Sequence, residues 1–336
     1  MPTVVRSYGK INLGLLLGAP RADGFHELRT CYSTIALHDT IKVEKLKGLG
    51  IEIRAKAAKN GALPDDVAAE LARKVPCDES NTCYRIAERL LKRAKGHQKL
   101  VITIEKSLPV QGGMGAASSN AVATLLAAER ELRFELDAEE RYAICAEVGS
   151  DVPQFLIGGL SLGIGRGEQV FPLPDLQPVP MVVVTPTVGV STAKAFADWD
   201  TLLESGELTV AKQTSKLETF SQSIYRWLMS THTGVSATDG NRAEAPLLDL
   251  VRTGIVNDFE RVVFPQHPAL REIKRALERA GALFASLSGS GSTMFGLFAA
   301  QEQAEQAAAQ LVVDGHRAYA TTTLPRRDYW DSFWVR

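Results

Sequence analysis

Cysteine is scarce in this chain and thinly spread. Four cysteines, Cys31, Cys77, Cys83 and Cys145, stand among 336 residues, with no Cys-x-x-Cys pair and no Cys/His cluster. That spacing offers neither a metal site nor a disulfide framework, and it suits reduced thiols in the cytoplasm. An excess of either charge is also missing: 38 Lys and Arg face 39 Asp and Glu, a net charge of −1. No broad basic surface for nucleic acid follows from such a balance. No apolar run reaches the length of a membrane-spanning helix, and the N-terminus has no signal-peptide pattern. These absences predict a cytoplasmic protein with neither nucleic acid nor membrane as partner. A further absence is chemical. The glycine-rich stretch near the middle of the chain lacks the Gly-Lys-Ser/Thr ending of a Walker A loop.

What is present begins with that stretch: Pro109, Val110, Gln111, Gly112, Gly113, Met114, Gly115, Ala116, Ala117, Ser118, Ser119, Asn120. Ahead of it, Leu100 to Glu105 alternates as a strand does; behind it, Ala121 to Arg130 carries apolar residues at helical spacing. Strand, glycine-rich loop, serine pair and helix together suit an anion. The glycines let backbone N–H groups turn inward, and a helix start offers free N–H donors at the positive end of its dipole. The same residues also suit a plain turn with a serine cap, and the loop by itself does not choose.

A strand begins at Val4 and contains Lys10 and Asn12, two apart and so on one side of an extended segment. Arg21-Ala22-Asp23-Gly24-Phe25-His26 is a turn that delivers an aromatic ring and an imidazole to a strand entrance. Thr30 to Ala36 and Thr40 to Glu44 read as two strands joined by Leu37-His38-Asp39, and Ile51 to Ile53 as a short one. Residues 55–80, with Pro64 and Pro76, read as a surface excursion. Ser80-Asn81 caps a helix to Ala94 with Gly96 beyond it, and Asp137 to Glu140 is a capping box for a helix ending at Gly149. Asp151 follows in Ser150-Asp151-Val152-Pro153, where an N-cap is its ordinary role. Four prolines between Pro172 and Pro180 mark the most plausible junction. Beyond it come strands at Met181 to Val184, Leu283 to Leu287, Thr293 to Phe298 and His316 to Thr323. Helices are expected at Ala193 to Trp199, 203–225, Pro268 to Ala280 and Gln301 to Val313, and 231–245 reads as a mobile loop. The length suits two domains, and the many antiparallel links suggest α+β halves.

Three stretches in this order resemble the motifs of the GHMP kinases: Lys10 with Asn12, the central loop with Ser118-Ser119, and Leu287-Ser288-Gly289-Ser290-Gly291-Ser292. The resemblance implies an α+β fold of two domains. Residues 1–178 would form an ATP-binding domain like domain 2 of ribosomal protein S5. Residues 179–336 would form a ferredoxin-like α/β plait, with an active-site cleft between the two. It also implies an ATP-dependent small-molecule kinase using Mg²⁺, a monomer or homodimer. Arg21 to His26, Ser150 to Pro153 and Val190 to Thr192 resemble in particular the members that phosphorylate the 2-hydroxyl of a cytidine-diphosphate-linked methylerythritol. There a tyrosine commonly stands where this chain has Phe25, and glycines where it has Ala116 and Ala117. Ring stacking survives the first change. The second makes these two positions first-turn helical residues.

By the same resemblance, Asp151 takes the hydroxyl proton and Lys10 offsets charge beside it. Pro109, Gly112 to Asn120, Asn81, Lys106, Gly289 and Gly291 border ATP, and Ser118 is the candidate Mg²⁺ contact. Asn12, Phe25, His26, Ser191, Thr192 and Phe196 take the substrate. Two alternatives stay open at this point: a GHMP kinase for homoserine, mevalonate or a sugar, and a non-catalytic ligand sensor of the same fold.

Overall fold

A computed structural model describes residues 2–58, 65–95, 98–110, 112–232, 250 and 255–335. The chain forms two compact units that interleave in sequence. One comprises residues 1–10, 34–158 and 326–336; the other comprises 11–33 and 159–325. Two long strands, β1 (Thr3–Pro20) and β2 (His26–Leu46), each continue from one unit into the other.

In the first unit, β4 (Lys99–Lys106) pairs in parallel with β3 (Gly50–Ala57) and antiparallel with the Thr40–Leu46 end of β2. Leu100, Ile102 and Ile104 of β4 are wholly or almost wholly buried, as the alternation predicts. Its helices are α1 (Asp65–Arg73), α2 (Thr82–Ala94), α3 (Ala116–Leu132) and α4 (Ala138–Val148), followed by a 3₁₀ turn at Pro153–Leu156. The predicted caps of α2 and α4 form. The Asn81 side chain accepts from the Cys83 N–H at 2.8 Å, and that of Asp137 from the Glu140 N–H at 2.8 Å.

In the second unit, β2 residues Leu28 to Ser33 pair with β5 (Leu160–Gly165), which pairs with β6 (Gln169–Pro172). A separate antiparallel sheet has the order β10-β7-β9-β8, from β7 (Pro180–Val184), β8 (Phe284–Leu287), β9 (Met294–Leu297) and β10 (Ala318–Thr322). With α5 (Thr192–Glu204), α6 (Val210–His232), α7 (Phe259–Gln266), α8 (Pro268–Arg279) and α9 (Gln301–Val313), this is the expected ferredoxin-like plait. Strand order 4-1-3-2 is that of a β-α-β-β-α-β chain. Leu270, Ile273 and Leu277 of α8 recur at helical spacing and are all buried. Each contributes about 1.5–3 kcal/mol by leaving water. The last helix, α10 (Arg326–Phe333), returns to the first unit, where Tyr329 and Phe333 are buried.

Several expectations need correction. The two strands predicted around Leu37-His38-Asp39 are one, because those three residues stay extended within β2. The 55–80 excursion contains α1, whose buried Ala68 and Leu71 were hidden by its Lys- and Asp-rich surroundings. The helix after Asn81 ends on Lys95 itself in the left-handed region, at φ 48°; Gly96 lies outside the described residues. The helix expected over 203–225 starts later, at Val210, and the expected loop at 231–245 lies outside the described residues from 233 onward.

Candidate active site

The central loop is built by its neighbours. Lys10 donates its backbone N–H to the Met114 carbonyl at 2.9 Å, so β1 holds the loop by its main chain. Gly115 then takes φ 65° and becomes the N-cap of α3 without any side-chain cap. A Cβ there would stand 2.9 Å from Phe155 Cζ and 3.0 Å from Lys10 Cγ, so only glycine lets the loop lie this close to the lysine stem. Ala116 and Ala117 are the first helical residues, as expected from their identity. The first helical bond runs from the Ser119 N–H to the Gly115 carbonyl at 2.9 Å. The N–H groups of Ala116, Ala117 and Ser118 therefore precede the hydrogen-bond ladder and form the positive end of the helix.

A cavity of about 290 Å³ opens there, lined among others by Asn81, Lys106, Pro109, Gly112, Gly113, Gly115 to Ser118 and Asn120. Most of the residues expected to border ATP thus converge. Met114 and Ser119 are buried and do not line it. Ser119 Oγ lies 2.7 Å from Ser7 Oγ, which donates to Asn120 Oδ1 at 2.6 Å. Gly289 and Gly291 sit in the β8–β9 turn of the other unit, at φ 58° and 93°.

Sequence reasoning missed Asp39. It is fully buried and accepts four hydrogen bonds: from Lys106 Nζ at 2.5 Å, Asn120 Nδ2 at 3.0 Å, and the N–H groups of Ser107 at 2.7 Å and Leu108 at 2.8 Å. The Lys106 ammonium is therefore committed to Asp39 beneath the cavity. Placing Asp39 in a loop hid it, because a connector aspartate is ordinarily a turn residue.

Lys10 and Asp151 meet at 3.0 Å. The lysine side chain is 3% exposed and the aspartate 39%, so the ammonium is buried behind a carboxylate that reaches the surface. Lys10 thus touches both the loop and Asp151, which joins the first two motifs in one place. Among the described residues no three His, Cys, Asp or Glu side chains converge on a metal position. Mg²⁺ needs no such cage, since it keeps waters and takes phosphate oxygens with one or two protein ligands. The partly exposed Ser118 hydroxyl on the cavity wall fits that role.

In the second unit, His26 opens β2 and stacks on Phe196, with ring centroids 4.8 Å apart and planes at 23°. Its Nε2 lies 2.7 Å from Asp200 Oδ1. Phe25 is 46% exposed, with the Arg166 guanidinium 4.6 Å over its ring. Ser191 caps α5 by accepting from the Lys194 N–H at 3.3 Å, and Thr192 Oγ1 lies 2.7 Å from Ser290 Oγ. Asn12 is buried. Its Nδ2 donates to Thr30 Oγ1 at 2.8 Å and its N–H to Ser288 Oγ at 3.2 Å. The first and third motifs are thereby bonded to each other. Asp200 and Arg166 carried no motif signal; only the helical spacing of Phe196 and Asp200, four apart, puts them on one face. The buried thiols are inert. Burial pushes the Cys31, Cys83 and Cys145 thiols up to about 12, while Cys77 is exposed.

Comparison with known proteins follows the same lines. The model of the GHMP kinases N terminal domain matches residues 81–159, and that of the GHMP kinases C terminal region matches residues 243–314. A 4-diphosphocytidyl-2-C-methyl-D-erythritol kinase of Solibacter usitatus (strain Ellin6076) is 40% identical over 88% of this chain and 80% of its own. One of Rhodococcus jostii (strain RHA1) is 33% identical over 94% and 89%. A crystal structure of a 4-(cytidine 5'-diphospho)-2C-methyl-D-erythritol kinase superimposes with a TM-score of 0.68 at 27% identity, over 95% of this chain and 98% of that one. A homoserine kinase from Cytophaga hutchinsonii, at 19% identity and a TM-score of 0.66 over 95% and 96%, shares the fold. With the loop, the Lys10–Asp151 pair and the plait already in place, the chain belongs to the GHMP kinase family, and within it to the 4-diphosphocytidyl-2-C-methyl-D-erythritol kinases.

Proposed function

We propose that this protein transfers the γ-phosphoryl group of ATP to the 2-hydroxyl of 4-diphosphocytidyl-2-C-methyl-D-erythritol. The products are ADP and the 2-phosphate, in the non-mevalonate route to isoprenoid precursors. The observation that carries the reading is the Lys10–Asp151 pair, held against the loop whose helix end opens on the cavity. The name shared by the curated relatives supports the choice of substrate.

Phosphoryl transfer asks for alignment and charge compensation more than for covalent help. The loop from Gly112 to Ser118 binds the phosphates through N–H groups. Asn81, Lys106, Pro109 and Asn120 border the nucleoside, with Met114 and Ser119 supporting the loop from beneath. Ser118 would hold Mg²⁺, which would supply charge neutralisation to the ATP phosphates. Asp151 accepts the hydroxyl proton or orients the hydroxyl, from the exposed side of its ion pair. Lys10 stabilises the charge that develops beside it. On the substrate side, His26 hydrogen-bonds the cytosine edge, and Phe25 and Phe196 supply ring faces. Asn12, Ser191 and Thr192 position the remainder. A cytoplasmic monomer or homodimer belongs to the same reading. The two family models fall on either side of residue 178, while the compact units interleave across it.

One assay tests it. Purified protein with ATP, Mg²⁺ and the cytidine-linked substrate should release ADP and the 2-phosphate. Turnover on homoserine, mevalonate or galactose with none on that substrate would sink the specific reading. Ligand binding with no ADP release on any acceptor would instead point to a sensor.

A further inference from the structure

The contact between His26 and Asp200 has no part in the roles assigned so far. His26 is 7% exposed, and its ring is held from two directions: face to face by Phe196, and through Nε2 by Asp200 at 2.7 Å. Among the described residues the ring has no other polar partner. Both holding residues come from one face of α5, and α5 is itself anchored. Trp199, between them and buried, donates its indole N–H to the Gly18 carbonyl at 3.2 Å. Phe196 also meets Phe259 edge to face, with centroids 5.0 Å apart and planes at 81°. The imidazole is thus fixed in orientation before any ligand arrives.

The partner also fixes the hydrogen. A carboxylate oxygen accepts and cannot donate, so the shared hydrogen sits on His26 Nε2. In the neutral imidazole, Nδ1 is then a bare acceptor. We propose that Asp200 is a positioning residue for base selection: it holds His26 in the tautomer whose Nδ1 accepts from the 4-amino group of cytosine and meets only a carbonyl oxygen at the 4-position of uracil. The proposal rests on the reading of His26 as the contact to the base edge. Uracil presents a carbonyl at that position, and two acceptors face to face leave both unsatisfied. A site built around one defined hydrogen bond rejects the analogue that cannot make it far more strongly than a size filter does. Without Asp200 the hydrogen is free to move to Nδ1, where it would serve the uracil carbonyl equally well. Asp200 thereby sets specificity without touching the substrate.

The test has two arms. The first compares kcat/KM for the cytidine-linked substrate and its uridine-linked analogue. Wild type should prefer cytidine. Asp200→Ala should lose at least about tenfold of that preference, the worth of one buried hydrogen bond. Asp200→Glu should restore part of it, and KM for ATP should stay the same in all three. The second arm reads the ring directly, by nitrogen NMR of the ligand-free full-length protein in mildly alkaline buffer, with the His26 signals assigned by their loss in His26→Gln. Nδ1 should be unprotonated in wild type and should share the proton with Nε2 in Asp200→Ala. A proton found on Nδ1 of wild type overturns the proposal, and does so even if the variant fails to fold. Wild-type discrimination that persists in a folded Asp200→Ala protein overturns Asp200's role alone. Equal use of both nucleotides by wild type overturns the base reading of His26 and this proposal with it.

Discussion

In the proposed function two residues carry the chemistry, and burial separates them. Lys10 is held by its stem against Gly115 and by its backbone against Met114, so its charge cannot wander. The Asp151 side chain beside it is 39% exposed. Asp151→Asn should lower kcat by roughly 10²–10⁴-fold, the usual worth of a general base, with KM for ATP nearly unchanged. Lys10→Met should do comparable harm, and the double variant should be little worse than either, because groups acting as a unit are not additive. Steady-state kinetics on the three proteins checks this. Another residue contributes to the pH response of stability. His38 is partly buried in β2, and burial holds its pKa below the usual 6.5, assisted by Arg6 and opposed by the Ala36 carbonyl and Asp39. A depressed folded value means that the unfolded chain takes up the proton first as pH falls. The stability present above about pH 6.5 should therefore be lost as pH drops through the folded value, by at most about 1.4 kcal/mol per pH unit. Thermal melts between about pH 7.5 and 5 should show a fall that His38→Gln reduces.

At the scale of elements, the loop and the helix it starts depend on one glycine and one buried carboxylate. Gly115→Ala meets a left-handed backbone and two close neighbours at once. The backbone term alone is about 1–2 kcal/mol. The variant should melt lower and show a raised KM for ATP, since Phe155 or the Lys10 stem must give way. Asp39 sits under the same loop and joins β2, β4 and α3 through its four bonds. Asp39→Ala leaves the Lys106 ammonium buried without its partner and should cost about 3–5 kcal/mol in urea unfolding. Adding Lys106→Met should recover part of that loss, because an absent charge costs less than an unpaired one. The glycine was legible in the sequence, since the stretch contains three of them between a strand and a helix. Asp39 was not, because its partners lie 67 to 81 residues away and nothing local announces a buried acid.

At the scale of the molecule, chain order and spatial order part company. The core of the second unit gathers Leu15, Leu17 and Leu28 from β1 and β2 together with Val182, Phe259, Leu270 and Leu287 from the C-terminal half. A fragment of residues 179–336 therefore lacks three buried leucines of its own core, each worth about 1.5–3 kcal/mol on burial. Expressed alone, it should show poor amide dispersion in NMR and no cooperative melt. Adding residues 11–33 through a linker should improve both. A well-dispersed spectrum from 179–336 alone would overturn this account.

Local pattern by itself determined the strands with alternating residues, the helices with capped starts, the glycine loop and the order of three motifs. Each of these depends on neighbours a few residues apart, and short-range physics is written in consecutive residues. The helices and hairpin of the second half were legible for the same reason, while their assembly as a ferredoxin-like plait came from the motif resemblance. Tertiary structure alone decided that β2 runs unbroken through Leu37-His38-Asp39. It also decided that Asp39 holds Lys106 and that Asp200 holds His26, whereas the meeting of Lys10 and Asp151 was already implied by the motif resemblance. Those pairings join residues far apart in the chain. Their energies come from burial and from the absence of competing water, which no short window of sequence records.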